Sequence, residues 1–170
     1  MTKPTKIRIL AIATSASPGF AVVDIRAGKP QIIALESVKT DAKSADSRRY
    51  AYIEAMTVKL AHEYGPFDYV TREHFTKGGS KRSTQLVFGS WAAVDAALGR
   101  YGYAIQASDE VTPSAVKKEV GGSGKAEKGE VAEGVRKLYG LPADNAFKSN
   151  DESDAAAIAW TFAQMKGLIG

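Results

Sequence analysis

Cysteine is missing from all 170 residues of the chain. Disulfides, thiolate metal sites and cysteine nucleophiles are thereby excluded. The composition is compatible with a reducing compartment, and a cytoplasmic location is the expectation. Long apolar runs are missing too: none approaches the roughly 20 residues that a membrane-spanning helix needs, so no membrane partner is expected. The opening residues, Met1-Thr2-Lys3-Pro4-Thr5-Lys6, lead into only a short apolar run with no small-residue cleavage site, and no secretory signal is read there. Histidine is scarce, with His62 expected on a helix surface and His74 in a solvated loop beside Glu73. A strong charge imbalance is also lacking. Lys and Arg number 23 against 19 Asp and Glu, a net charge of +4, which permits an anionic partner without requiring one. With no internal repeat and no linker-like stretch, residues 1–170 read as a single domain long enough for an ample core.

What is present is ordinary in bulk, with 44% hydrophobic and 25% charged residues, as in soluble globular chains. The placement of charge says more. Basic residues gather at Lys77, Lys81 and Arg82, and again at Lys117, Lys118, Lys125 and Lys128. Lysines are mostly plain solvated surface, but two clusters in loops near candidate catalytic acids favour a nucleic-acid partner.

Residues 7–12 (Ile-Arg-Ile-Leu-Ala-Ile) form a buried-strand pattern that ends at a polar, proline-containing loop, 14–18. A second strand is expected over 19–24 and, after the turn signal Ala27-Gly28-Lys29-Pro30, a third over 31–35. A helix follows over 47–64, with Asp46 as its cap, Gly65-Pro66 as its stop, and Ile53, Met56, Leu60 and Tyr64 on one apolar face. Residues 67–72 form a short strand ending at Glu73, 76–84 a mobile basic loop, and 85–98 a helix rich in small residues. Such residues suit close approach by another helix, inside the chain or across a dimer. A fifth strand is expected over 103–107, then helices over 113–120, 126–139 and 151–165. A three-strand meander followed by alternating helices and strands implies an α/β fold with a five-stranded mixed sheet flanked by helices. Right-handed crossovers would run the fourth and fifth strands parallel to the first. The C-terminal ends of strands one and four, at position 13 and Glu73, would then lie together at the edge where such sheets carry their sites.

Asp151 and Asp154 stand three residues apart at the start of the last helix, so both can face one spot. Taken alone, acids there are more often capping groups that oppose the helix dipole, and a lone strand-end acid such as Glu73 is usually just solvated. Their convergence changes the weighting, because hard divalent cations take several oxygen ligands. Two such ions about 3.5–4 Å apart can activate water and stabilise a leaving phosphodiester oxygen. Gly121-Gly122-Ser123-Gly124-Lys125 is no phosphate-cradling Walker loop, since Glu119 and Ala126 stand at the flanks. It also lacks the second glycine of a nucleophile elbow.

From Pro113 onward a longer pattern emerges. Val116-Lys117 is followed by a Val-Gly stretch and then Gly124-Lys125-Ala126-Glu127-Lys128 before a helix. Val131, Val135, Leu138 and Leu141-Pro142-Ala143 come next, then Asp151-x-x-Asp154-Ala155-x-Ala157-Ile158-Ala159. In this order, and with Glu73 at its distance before Phe88-Gly89, the chain resembles the RuvC family of Holliday-junction resolvases over nearly its whole length. The resemblance implies a ribonuclease-H-like fold and a homodimer that nicks four-way DNA junctions using magnesium, two ions per site, with manganese able to substitute. It implies Glu73, Asp151 and Asp154 as metal ligands and Lys128 as a catalytic lysine. It implies Lys117 as a DNA contact and Phe75 as an aromatic that stacks at the junction centre. The other clustered basic residues, Lys77, Lys81, Arg82, Lys118 and Lys125, are expected to contact phosphates on the strength of their charge alone. In this fold the first strand normally ends in an aspartate bridging both metals, and this chain has Ala13 there. Metal binding and cleavage are therefore expected to be impaired. The alanine is either a substitution made to trap a complex, which the intact acids and lysines favour, or natural. The alternatives are a non-catalytic junction-binding protein and another nuclease of the same fold acting on flaps or other branched DNA.

Overall fold

The computed structural model describes residues 5–170. Met1–Pro4, the start of the stretch read as lacking a secretory signal, lie outside the described residues. The chain runs β1 (Ile7–Ala13), β2 (Gly19–Arg26), β3 (Lys29–Ser37), α1 (Asp46–Tyr64), β4 (Tyr69–Glu73), α2 (Lys81–Arg100), β5 (Glu110–Val111), α3 (Pro113–Gly121), α4 (Lys128–Leu138) and α5 (Asn150–Met165). One five-stranded sheet results, ordered β3-β2-β1-β4-β5. The first three strands are antiparallel, and β4 and β5 run parallel to β1. This is the expected meander and the expected pair of crossovers.

β1 is central and covered on both faces, hence its nearly unbroken apolar run. Alternation along the strand divides it between two cores. Ile9, Ala11 and Ala13 pack toward α3, α4 and α5, while Leu10 and Ile12 pack toward α1 and α2. The largest buried side chains, Phe20 on one side and Phe162 on the other, anchor these layers, each contributing roughly 1.5–3 kcal/mol by leaving water. Position 13 thus faces α5, the helix that carries Asp151 and Asp154.

Several elements depart from the sequence reading for identifiable reasons. The fifth strand is Glu110–Val111, later and shorter than the expected 103–107. Tyr103 and Ile105 alternate like strand residues because they fill the core against α1 and α2 from a loop. The Tyr103 amide returns to the Leu98 carbonyl, and its hydroxyl accepts from the Phe67 amide. The expected loop 76–84 is shorter, because Ser80 caps α2 by accepting from the Ser83 amide, so Lys81 and Arg82 lie in the first helical turn. Asp46 does not cap α1. Ala45 holds the cap position, and the Asp46 carboxylate is taken by Arg82 Nη1 at 2.7 Å instead. α4 begins at Lys128 because Ala126 is buried and Glu127 forms the cap.

Close packing explains part of the small-residue pattern of α2. A Cβ at Gly89 would meet the Tyr50 ring of α1 at 2.2 Å, and Ser90, Ala93 and Ala97 are buried. Ala92 and Ala96 remain exposed beside Phe88.

Candidate active site

Three elements converge at one edge of the sheet. The parallel register of β1 and β4 pairs Ile12 with Arg72, so the next residues, Ala13 and Glu73, end their strands side by side. β2 starts at Gly19, opposite Ala13, and there it touches α5: a Cβ on Gly19 would fall 2.1 Å from the Asp151 carbonyl oxygen. Only glycine permits this approach, which seats the α5 N-terminus against the ends of β1 and β2. That N-terminus is capped by Ser149, whose hydroxyl accepts from the Glu152 amide at 3.3 Å. Asp151 and Asp154 are therefore released from the capping role that their position alone suggested.

The electrostatics are those of acids crowded away from water. Burial, reinforced by the nearby Asp154 charge, pushes the Glu73 carboxyl up to about 7 against the counter-pull of Lys117 and Lys128. Burial also raises Asp154, with Lys128 opposing it and Asp151 adding to it. Asp151 is raised by burial as well, and is held back by Lys128 and by the Ser15 hydroxyl, which donates to its Oδ1 at 3.4 Å. Lys128 Nζ lies 3.8 Å from Asp154 Oδ2.

Glu73 and Asp154 open into a cleft of about 580 Å³ that Lys117, Lys125 and Lys128 also line. Two of the three proposed acids and three of the proposed cations are thus brought together. Asp151 stands at the side of this group, turned toward the β1–β2 loop through Ser15. Lys118 is exposed outside the cleft lining. Lys77 and Lys81 flank a separate groove at the α2 N-terminus with Gly78, Gly79 and Ser80. Arg82 is engaged by Asp46 and Gln85. Phe75 packs edge-on against Phe88 at 5.4 Å, and Phe88 in turn against Trp91. His74 is exposed and meets Glu110 at 3.3 Å, while His62 ends α1 on the surface.

The donors have the chemistry a hard divalent cation prefers, and burial raises all three carboxyls despite the opposing pull of Lys128. They do not complete a site as they stand. Ala13 offers no oxygen, and among the described residues no three His, Asp or Glu side chains come close enough to hold one ion. The Thr14 hydroxyl, next in the chain, is buried with no hydrogen-bond partner.

Comparison with known proteins now decides the lineage. The sequence profile of the family described as "Crossover junction endodeoxyribonuclease RuvC" matches residues 9–162. The chain belongs to the RuvC family. The RuvC of Rickettsia felis is 34% identical over 145 residues, spanning 85% of this chain and 89% of that protein. Among solved structures, Thermus thermophilus RuvC is 26% identical with a TM-score of 0.75, covering 96% of this chain and 98% of that one. The fold also matches T. thermophilus RuvC in complex with a Holliday junction substrate, at 24% identity and a TM-score of 0.78, over 95% and 98% of the two chains. RuvC proteins are metal-dependent nucleases, and the five-stranded mixed sheet seen here is theirs.

Three residues of this edge escape sequence reasoning. Ser15 reaches Asp151 across 136 positions, and no local signal announces that. Arg72 and Arg49 are both buried. Arg49 had a readable signal, because Arg49, Ile53, Thr57 and Leu60 follow helical spacing and all lie on the buried face of α1.

Proposed function

We propose that this chain recognises four-way DNA junctions and is a Holliday-junction resolving endonuclease whose cleavage is impaired by Ala13. The observation that carries the reading is the single cleft where Glu73 and Asp154 meet Lys117, Lys125 and Lys128, within a RuvC match spanning residues 9–162. The lysines contact phosphates, and junction shape supplies selectivity. Lys128, beside Asp154, is placed to donate to the scissile phosphate and stabilise charge that develops on it. Glu73, Asp151 and Asp154 are the ligands we assign to magnesium, two ions in the complete site with manganese as a substitute. Ala13 leaves that set one carboxylate short. A homodimer fits the exposed Phe88, Ala92 and Ala96, which recur every fourth residue on one face of α2. Ala13 also favours a second reading, a junction-binding protein that does not cut.

The experiment is Ala13→Asp, offered magnesium with a four-way junction, a flap and a linear duplex. The new carboxylate enters a buried, acid-crowded position, so Tm should fall in EDTA and recover on adding magnesium. Paired symmetric nicks should appear in the junction. Recovery of Tm without any nicking supports the binding-only reading, and preferential cutting of the flap points to a different branched substrate.

A further inference from the structure

Two arginines are buried among the described residues, and they are satisfied very differently. Arg72 has two carboxylates and an indole face. Arg49, 6% exposed, forms no ion pair among the described residues. Its natural partner, Asp46 one turn earlier on α1, is held by Arg82. The Arg49 Nη atoms are not among the buried side-chain atoms that lack a partner, so the tip of an otherwise buried arginine reaches solvent with no carboxylate beside it. Such a group is suited to an anion that arrives from outside.

The surroundings of Arg49 indicate which anion. Its Nε donates to Thr40 Oγ1 at 3.0 Å, and its terminal Nη groups have no acceptor among the described residues. Thr40 Oγ1 passes its own hydrogen to the Ala16 carbonyl at 3.0 Å and lies 3.4 Å from Ser17 Oγ. The Ser17 amide donates to Ser15 Oγ, and Ser15 donates to Asp151. Hydrogen bonds on either side of Ser17, joined through that residue's own covalent frame, therefore link Arg49 through the β1–β2 loop to a proposed metal ligand. Residues 39–49 carry Lys39, Lys43, Arg48 and Arg49 against Asp41 and Asp46. The Asp41 carboxylate accepts from the Lys43 amide at 2.9 Å, and the Asp41 backbone carbonyl accepts from the Ser44 amide at 3.0 Å.

We propose that Arg49, oriented by Thr40 and assisted by the Ser17 hydroxyl, is a subsite for a phosphodiester of the bound DNA strand, on the Asp151 side of the carboxylates. The planar guanidinium fork matches two phosphate oxygens. The lysine cleft holds the strand near Glu73 and Asp154, and Arg49 holds it beyond Asp151. This proposal rests on the DNA-binding reading above and adds a contact that reading does not include.

The test uses the full chain, a fluorescently labelled four-way junction and a KCl series, comparing wild type with Arg49→Met. The slope of log affinity against log salt should become shallower by about one, while Tm holds because Met keeps the apolar stem packed and only the solvent-reaching tip is lost. An unchanged slope overturns the proposal, and a fall in Tm beside it assigns Arg49 to structure. Ser17→Ala, a milder change, should weaken junction binding several-fold with an unchanged Tm, and equal affinity counts against the subsite. Inorganic phosphate at matched ionic strength provides a DNA-free readout, raising the Tm of wild type and leaving Arg49→Met unmoved. Stabilisation by phosphate with an unchanged DNA slope marks a free-phosphate site and overturns the DNA assignment. If the wild-type chain binds no junction at all, the functional reading fails, and the phosphate arm still decides whether Arg49 binds an anion.

Discussion

Burial beside Asp154 holds the Glu73 carboxyl at about 7, against an ordinary value of 4.5, and this has a measurable consequence in the metal-free chain. Between those two values the folded chain keeps a proton that the unfolded chain releases. Stability therefore falls as pH rises from 4.5 to 7 and levels off above that. Glu73→Gln should remove most of this slope and stabilise the chain at pH 8 by about 1–3 kcal/mol. Urea midpoints of both proteins at pH 5 and pH 8 measure it, and parallel pH curves would show that Glu73 is better solvated than its setting implies. Much of this site was legible at the level of residue type and spacing. Asp151 and Asp154 share a helix face by their spacing, and Glu73 ends a strand, both visible in one dimension. The contacts that qualify them were not. Ser15 touches Asp151 only because β2 bends back at Gly19 against α5.

Among the elements, β4 shows how a strand end is held rigid. Arg72 precedes Glu73 and points to the opposite face of the sheet. Its guanidinium bonds Glu110 on β5 at 2.9 Å and Asp95 on α2 at 2.8 Å, and stacks 3.7 Å from the Trp91 ring. The side chains of Arg72 and Glu110 are each only 8% exposed, so removing one leaves an uncompensated buried charge. Arg72→Met should cost about 3–5 kcal/mol, and adding Glu110→Gln should restore most of it. Denaturant melts of the two single variants and the double variant check this, and purely additive losses would mean the pair is not coupled. The same pair explains why β5 was misread. Its two residues, Glu110 and Val111, carry no periodic signal, and their strand identity comes from pairing with Arg72 and Glu73. The Tyr103–Ile105 stretch, by contrast, has the alternating pattern of a strand while serving as core filler from a loop. Long periodic elements such as α1 and β1 were readable because their own side chains define both faces. Their ends shifted where a distant partner intervened, as when Arg82 drew Asp46 away from its cap.

For the whole molecule, a four-way junction presents two equivalent strands to be nicked, and one copy of this chain offers one carboxylate cleft. A two-fold dimer through the exposed Phe88, Ala92 and Ala96 face of α2 would present two clefts in the matching symmetry. Phe88 is 41% exposed and belongs to the aromatic row that begins at Phe75, next to Lys77 and the groove it shares with Lys81 at the α2 N-terminus. Association on this face would thus bring the Phe75 and Lys77 segments of both copies toward one another. Each phosphate neutralised by the protein steepens the salt dependence of binding. A dimer that engages the junction with both copies should therefore show about twice the log–log slope of a single copy. Phe88→Glu places a charge on the face and should yield a monomer by sedimentation, with half the wild-type slope and a large loss of junction affinity. A variant that sediments as wild type would move the interface to another face. A monomeric variant with the full wild-type slope would show that one copy alone supplies the phosphate contacts, leaving the second copy to position the second nick.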